Sequence, residues 1–190
     1  MPMRSLALLL ELAAVSASTL VLDGSKTHTN PFDATGALSA GASSRLLIDY
    51  PPVQRELILD LLFKPKFGAS LNLLKVELGG DTQSTDGSEP SHARSRTELG
   101  SPDCERGYEL WLMREAKKRN PGIQTYGLSW GAPGWIGNYS YFSQDNLKYQ
   151  TSWLQCVRDR ANISVDYMGI WYALHRCAHA YHKAACHRAR

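Results

Sequence analysis

The sequence predicts an α/β protein that forms about the first four strands of a (β/α)8 TIM barrel. Two observations carry that expectation. Strand-like and helix-like segments alternate from Gly36 to Trp171, which implies parallel strands joined by right-handed crossovers. The segments that follow strands are long and hold unusual polar and aromatic residues, whereas those leading into strands are short. A doubly wound sheet shares the alternation, but barrel enzymes gather such residues in the loops at the carboxyl ends of their strands.

Residues 1–17 are expected to be a signal peptide. Met1-Pro-Met-Arg4 supplies a basic start, Leu6 to Val15 is apolar apart from Glu11, and Val15-Ser16-Ala17 offers the small residues a signal peptidase reads. Residues 23–45 are rich in Gly, Ser, Thr and Ala, suggesting loops with a short strand near Gly36–Ser39. Pro51-Pro52 opens an amphipathic helix, Val53 to Phe63, with Leu57, Ile58, Leu61 and Leu62 as its apolar positions. Lys64-Pro65 ends it. Leu71 to Leu78 reads as a strand bounded by Gly68 and Gly79-Gly80, and a polar loop follows over residues 79–103. Gly107 to Arg119 reads as a helix with Leu110, Met113 and Ala116 inward and Arg114, Lys117 and Lys118 outward, stopped by Asn120-Pro121-Gly122. Ile123–Leu128, Asn146–Arg160 and Val165–Trp171 complete the series as strand, helix and strand. The barrel portion is thus residues 18–171, and residues 172–190 form a tail of different composition.

Hydrophobic residues make up 43% of the chain and charged residues 21%, which argues against general disorder. A net charge of +3 with no basic stripe in the body of the chain argues against a nucleic-acid partner. Beyond the first residues, no stretch approaches the roughly 20 apolar residues needed to cross a bilayer, so no transmembrane segment is expected. Two sequons, Asn138-Tyr-Ser140 and Asn162-Ile-Ser164, agree with a secretory route and glycosylation at Asn138 and Asn162. Cys104, Cys156, Cys177 and Cys186 permit disulfides in an oxidising compartment, and three pairings are open.

Two loops are chemical candidates. Gly79 to His92 combines carboxylates, hydroxyls and a histidine directly after a strand, a set able to hydrogen-bond a polyol. Its composition equally fits a solvated turn. Trp130-Gly-Ala-Pro-Gly-Trp135 places two tryptophans among Gly and Pro at the mouth of the barrel, where an indole can stack on the apolar face of a sugar. The alternative is a packed loop in which tryptophan fills a gap.

Longer strings carry a specific resemblance. Phe63-Lys-Pro-Lys-Phe-Gly-Ala-Ser70, Leu74-Lys-Val-Glu-Leu-Gly-Gly-Asp81, Thr85-Asp-Gly-Ser-Glu-Pro-Ser-His92, Trp111 to Pro121, Pro133-Gly-Trp-Ile-Gly137 and Asp166-Tyr-Met-Gly-Ile-Trp171 together resemble the galactocerebrosidase family, in the same order, from about residue 36 to residue 171. The resemblance implies a retaining glycoside hydrolase with a (β/α)8 catalytic domain followed by β-rich domains. It further implies hydrolysis of the β-galactosyl bond of galactosylceramide in the lysosome, with a saposin-type activator presenting the lipid and no cofactor. Carried over by position, Thr85 matches a galactose-contacting hydroxyl and Trp130 a tryptophan lining the sugar pocket.

The resemblance breaks at the chemistry. A retaining glycosidase needs two carboxyl groups roughly 5–5.5 Å apart, one as acid/base and one as nucleophile. In the family an Asn-Glu pair follows the tryptophan that aligns with Trp171, and the Glu is the acid/base. Here those positions are Tyr172 and Ala173, and the family nucleophile lies beyond Arg190. The chain alone is therefore expected to be catalytically incomplete. Its tail holds four of the six His, two of the four Cys and no acidic residue. A zinc set can be drawn from His175, His179, His182, Cys177 and Cys186, but the spacing follows no familiar zinc pattern, so no metal site is expected.

Overall fold

A computed structural model describes residues 34–171 apart from 42, 84–86, 138 and 139. The expected signal peptide, the tail with Ala173, and the candidate residues Thr85 and Asn138 lie outside the described residues.

The described chain runs β1 (Gly36–Ser39), α1 (Ser43–Asp49), α2 (Pro52–Phe63), β2 (Leu73–Leu78), α3 (Glu109–Arg119), β3 (Gln124–Ser129), α4 (Gln144–Ala161) and β4 (Tyr167–Gly169). Pro52 suits the first turn of α2, where its missing N–H costs nothing. Pro65 forces Lys64 into an extended conformation, with ψ 124°, and so ends the helix. The Ser143 hydroxyl accepts from Asn146 N at 3.3 Å to start α4. Asn162 closes α4 in the left-handed region at φ 53°, with Arg158 and Arg160 in the negative last turn.

All neighbouring strands are parallel, and their order is β1-β2-β3-β4. A doubly wound sheet reverses its strand order at a switch point. The four strands show no reversal, so the topology matches consecutive βα units of a barrel wall. The outer edges of β1 and β4 have no strand partner among the described residues.

The core lies between the sheet and its helices. Leu74, Val76 and Leu78 of β2 meet Leu59 and Phe63 of α2, Leu112 and Met113 of α3, and Trp153 and Val157 of α4. Arg119, with a side chain only 6% exposed, ion-pairs with Glu56, Asp60 and Glu115 and so ties α2 to α3. The Cys104–Cys156 disulfide fastens the long loop after β2 to α4 and selects one of the open pairings.

Several sequence expectations need correction. The loop reading of residues 23–45 runs into α1, which begins at Ser43 and continues to Asp49; with Leu46 67% exposed, this short helix has too little apolar periodicity to announce itself. In α2, Leu57 and Leu61 are exposed at 53% and 42%, and the helix instead buries Leu59 and Phe63. The apolar residues occupy more than one ridge, and the i, i+4 pair facing β2 wins. In α3, Leu112 joins Met113 and Ala116 in the core and Leu110 is half-buried, while Arg114 and Lys117 are also half-buried and hydrogen-bonded. Strand β4 covers three residues, not the seven of Val165–Trp171.

Candidate functional site

The loops after β2 and β3 meet backbone to backbone. A Cβ built on Gly80 would lie 2.8 Å from the Gly131 carbonyl oxygen, closer than real Cβ atoms approach anything. Ser129 Oγ donates to Gly131 O at 2.8 Å and sets the turn that launches the tryptophan loop. Gln83 and Ser88 form an isolated antiparallel bridge that brackets the segment containing Thr85. The bridge and Trp130 thus both belong to the carboxyl-end side of the sheet, where barrel enzymes build their sites.

The two tryptophans take different roles. Trp135 Nε1 donates to Ala93 O at 3.0 Å, and its ring meets Tyr149 edge-on with centroids 6.0 Å apart. It packs against the loop cluster of Ala93, Ile136 and Tyr149 and is the gap-filling tryptophan of the pair. Trp130 is half-exposed, and the Lys75 ammonium lies 5.4 Å from its ring centre. Both indoles are partly exposed and differ in what they touch: Trp135 the loop cluster, Trp130 the Lys75 ammonium.

The Gly79–His92 loop is exposed at Asp81, Gln83 and Ser88, and its last residues turn inward. Glu89, Ser91 and His92 are all below 5% exposed. Asp81, at φ 54°, accepts from Ser91 N at 3.0 Å and from the Ser91 hydroxyl. His92 packs on Tyr149 with centroids 4.2 Å apart and the rings tilted by 32°, and burial pushes its pKa down to about 4, with the Arg106 charge adding to the effect. It is a neutral core histidine. Tyr149 Oη donates to Gly79 O at 2.5 Å and so props the start of the loop.

Below this loop lies a group of buried carboxyls. Glu89 Oε1 accepts from Tyr108 N at 2.6 Å and Glu109 N at 3.2 Å, capping the amino end of α3. The chain passes so close that a Cβ on Gly107, at φ 97°, would collide with that oxygen. Ser39 Oγ donates to Glu109 Oε1 at 2.8 Å, and Gly41 N donates to Glu77 Oε2 at 2.7 Å. Burial raises the Glu89 pKa to about 7 against its backbone hydrogen bonds, with the Glu77 charge adding to the rise. Burial and then the charge of Glu89 push Glu109 well above the usual carboxylate range. Raised carboxyls often mark a catalytic acid, but these three are at most 3% exposed and line a cavity of about 20 Å3. No sugar reaches them; they join β1, β2 and α3.

An aromatic clamp holds the end of β4. Tyr141 stacks on Trp171 with centroids 4.5 Å apart, and Phe142 meets Trp171 edge-on at 5.5 Å. Tyr141 Oη donates to Ile170 O at 2.6 Å, and Gln150 Nε2 donates to the same oxygen at 3.1 Å. The strand is thus fixed immediately before Tyr172 and Ala173.

Elsewhere, a groove of about 880 Å3 runs between residues 99–104 and α4, past the disulfide. Among the described residues, its lining holds no aromatic ring and a single carboxylate, Asp159, so it lacks the parts of a sugar site. Among the described residues, no group of three or more His, Cys, Asp or Glu is disposed to hold a metal ion. No described helix is long and apolar enough to cross a membrane. Asn162 is exposed at the end of α4.

The fold recurs in solved carbohydrate-cleaving enzymes. An endo-β1,6-glucanase matches with a TM-score of 0.56 at 18% identity, over 77% of this chain and 36% of that one. The catalytic domain of xylanase C from Talaromyces cellulolyticus matches with a TM-score of 0.51 at 15% identity, over 73% and 36%. The fold is therefore one that glycosidase catalytic domains use. Residues 32–184 match glycosyl hydrolase family 59, and the chain belongs to that family. Galactocerebrosidase of Danio rerio is 48% identical over 161 residues, covering 82% of this chain and 24% of that protein. Galactocerebrosidase of Homo sapiens is 49% identical over 156 residues, covering 80% and 22%. The chain thus spans about a quarter of the length of the curated relatives it matches.

Proposed function

We propose that this chain forms the galactose-holding side of a galactosylceramidase site in a lysosomal, retaining glycoside hydrolase, and that by itself it binds β-galactosides without cleaving them. One observation carries the reading: the Trp130 loop and the loop bracketing Thr85 lock together at the Gly80–Gly131 contact on the carboxyl-end side of the sheet. Trp130 stacks on the apolar face of the galactose, and the Thr85 hydroxyl fixes one of its polar groups. The lipid portion of galactosylceramide stays outside this sugar-sized region, where a saposin-type activator presents it.

The same reading explains the expected lack of turnover. Ala173 stands at the acid/base position and has no proton to give, while the nucleophile of the family belongs to a later strand. A secretory route is supported by the Cys104–Cys156 disulfide, which persists in oxidising compartments, and by the exposed acceptor Asn162. A signal peptide over residues 1–17 and glycosylation of Asn138 and Asn162 complete this route. The test is incubation of the purified chain with a fluorogenic β-galactoside between pH 4 and 7, alongside calorimetric titration with methyl β-galactoside. Binding without turnover is expected; release of the fluorophore above the buffer rate would overturn the claim of catalytic incompleteness.

A further inference from the structure

Lys75 stands in the middle of β2, directly opposite Tyr126 in the register, so the two side chains leave the sheet on the same face. Its Nζ lies 5.0 Å from the Tyr126 ring centre and 5.4 Å from the Trp130 ring centre. One ammonium therefore sits against a tyrosine anchored in β3 and a tryptophan in the loop that follows. Among the described residues, the charge contacts of Lys75 are these two rings. Burial lowers its pKa, as expected of an ammonium partly stripped of water, and desolvation strengthens attraction to an aromatic face.

Trp130 follows β3 and opens a loop rich in Gly and Pro, and its neighbour Trp135 is already used in packing against Tyr149. Tyr126 is held in turn by edge-on contact with Tyr167 of β4, centroids 6.3 Å apart. The row Tyr167–Tyr126–Lys75–Trp130 thus runs from the ladder of the sheet to the loop.

We propose that Lys75 is a positioning residue of the sugar site, its ammonium holding the Trp130 indole in the orientation that receives galactose. This rests on the reading that Trp130 is the sugar platform. Lysine suits the role because its stem crosses from β2 to β3 while its charge attracts both rings without a fixed hydrogen-bond direction. Neutral methionine matches the stem and lacks the charge.

The test uses the full chain and four forms: wild type, Lys75→Met, Trp130→Ala and the double variant, each titrated with methyl β-galactoside and melted thermally. Lys75→Met is expected to weaken binding roughly threefold to tenfold, with a melting midpoint close to wild type. Lys75→Arg should restore most of the affinity, and Lys75→Met should have no further effect once Trp130 is alanine. Wild-type affinity in Lys75→Met, or an undiminished loss in the Trp130→Ala background, would overturn the proposal. If the wild type binds no galactoside, the sugar reading fails, and the Lys75–Trp130 coupling is read from the Trp130 indole N–H resonance, assigned by its loss in Trp130→Phe. That resonance should move in Lys75→Met; an unmoved signal overturns the positioning role on its own.

Discussion

Replacing Glu89 with glutamine should make the protein more resistant to rising pH. The glutamine side chain keeps an oxygen to accept from Tyr108 N and Glu109 N, so the cap on α3 survives while the titration disappears. In the wild type, burial raises the Glu89 pKa from 4.5 to about 7. A group whose folded pKa is raised contributes stability that is complete below the unfolded value and lost as pH climbs through the folded value. At about 1.36 kcal/mol per pKa unit, the loss between pH 4.5 and 7 amounts to about 3 kcal/mol. His92 acts in the opposite sense: burial lowers its pKa from 6.5 to about 4, so its contribution is present above pH 6.5 and lost on acidification. The two effects offset each other in the wild type, and the charges of Glu109, Glu77 and Glu89 act on one another, while Arg106 is engaged by Glu98. The informative quantity is therefore the difference between variant and wild type in urea unfolding at pH 4.5, 5.5, 6.5 and 7.5. Glu89→Gln should gain about 3 kcal/mol on the wild type across that range. A constant difference would refute the argument that Glu89 is buried in its protonated form.

Three further outcomes follow from the same geometry. Replacing both Cys104 and Cys156 by alanine should lower stability by about 4 kcal/mol in denaturant unfolding, the loop-closure value for a separation of 52 residues. Gly80→Ala drives a methyl group against the Gly131 carbonyl and should destabilise by about 1–3 kcal/mol while weakening galactoside binding, since the two candidate loops must part. Trp135→Ala should cost roughly 2 kcal/mol in thermal unfolding through loss of its packing on Tyr149 and its bond to Ala93 O, whereas Trp130→Ala should leave the midpoint nearly unchanged and affect binding.

Much of the fold is legible in the sequence because glycine and proline punctuate it. Gly79-Gly80 ends β2, Pro65 ends α2 and Asn120-Pro121-Gly122 ends α3, so those strands and helices emerge where composition places them. Helix α1 escapes notice because seven residues offer too few turns to display a period. The phase of α2 is ambiguous because Leu57, Ile58, Leu59, Leu61, Leu62 and Phe63 supply apolar side chains on nearly every side. The candidate site is legible where a residue type is rare in its setting, as with tryptophan at the end of a strand. It is not legible where a packed loop and a solvated turn share a composition. Ser91 and His92 read as turn residues, yet they are buried by contacts with Asp81 and Tyr149, the latter more than fifty residues away. Likewise, Lys75 in an apolar strand gives no hint of Trp130, because the register that joins β2 to β3 is absent from local pattern.

The most direct test of the central claim is a saturation-transfer NMR map of methyl β-galactoside on the intact chain, with Thr85→Ala and Trp130→Ala as comparisons. The account predicts strongest saturation at the carbon-bound protons of the sugar's apolar face, sharply reduced in Trp130→Ala, and weakened binding overall in Thr85→Ala. Absence of transfer from the wild type, or a map unchanged by Trp130→Ala, would contradict it.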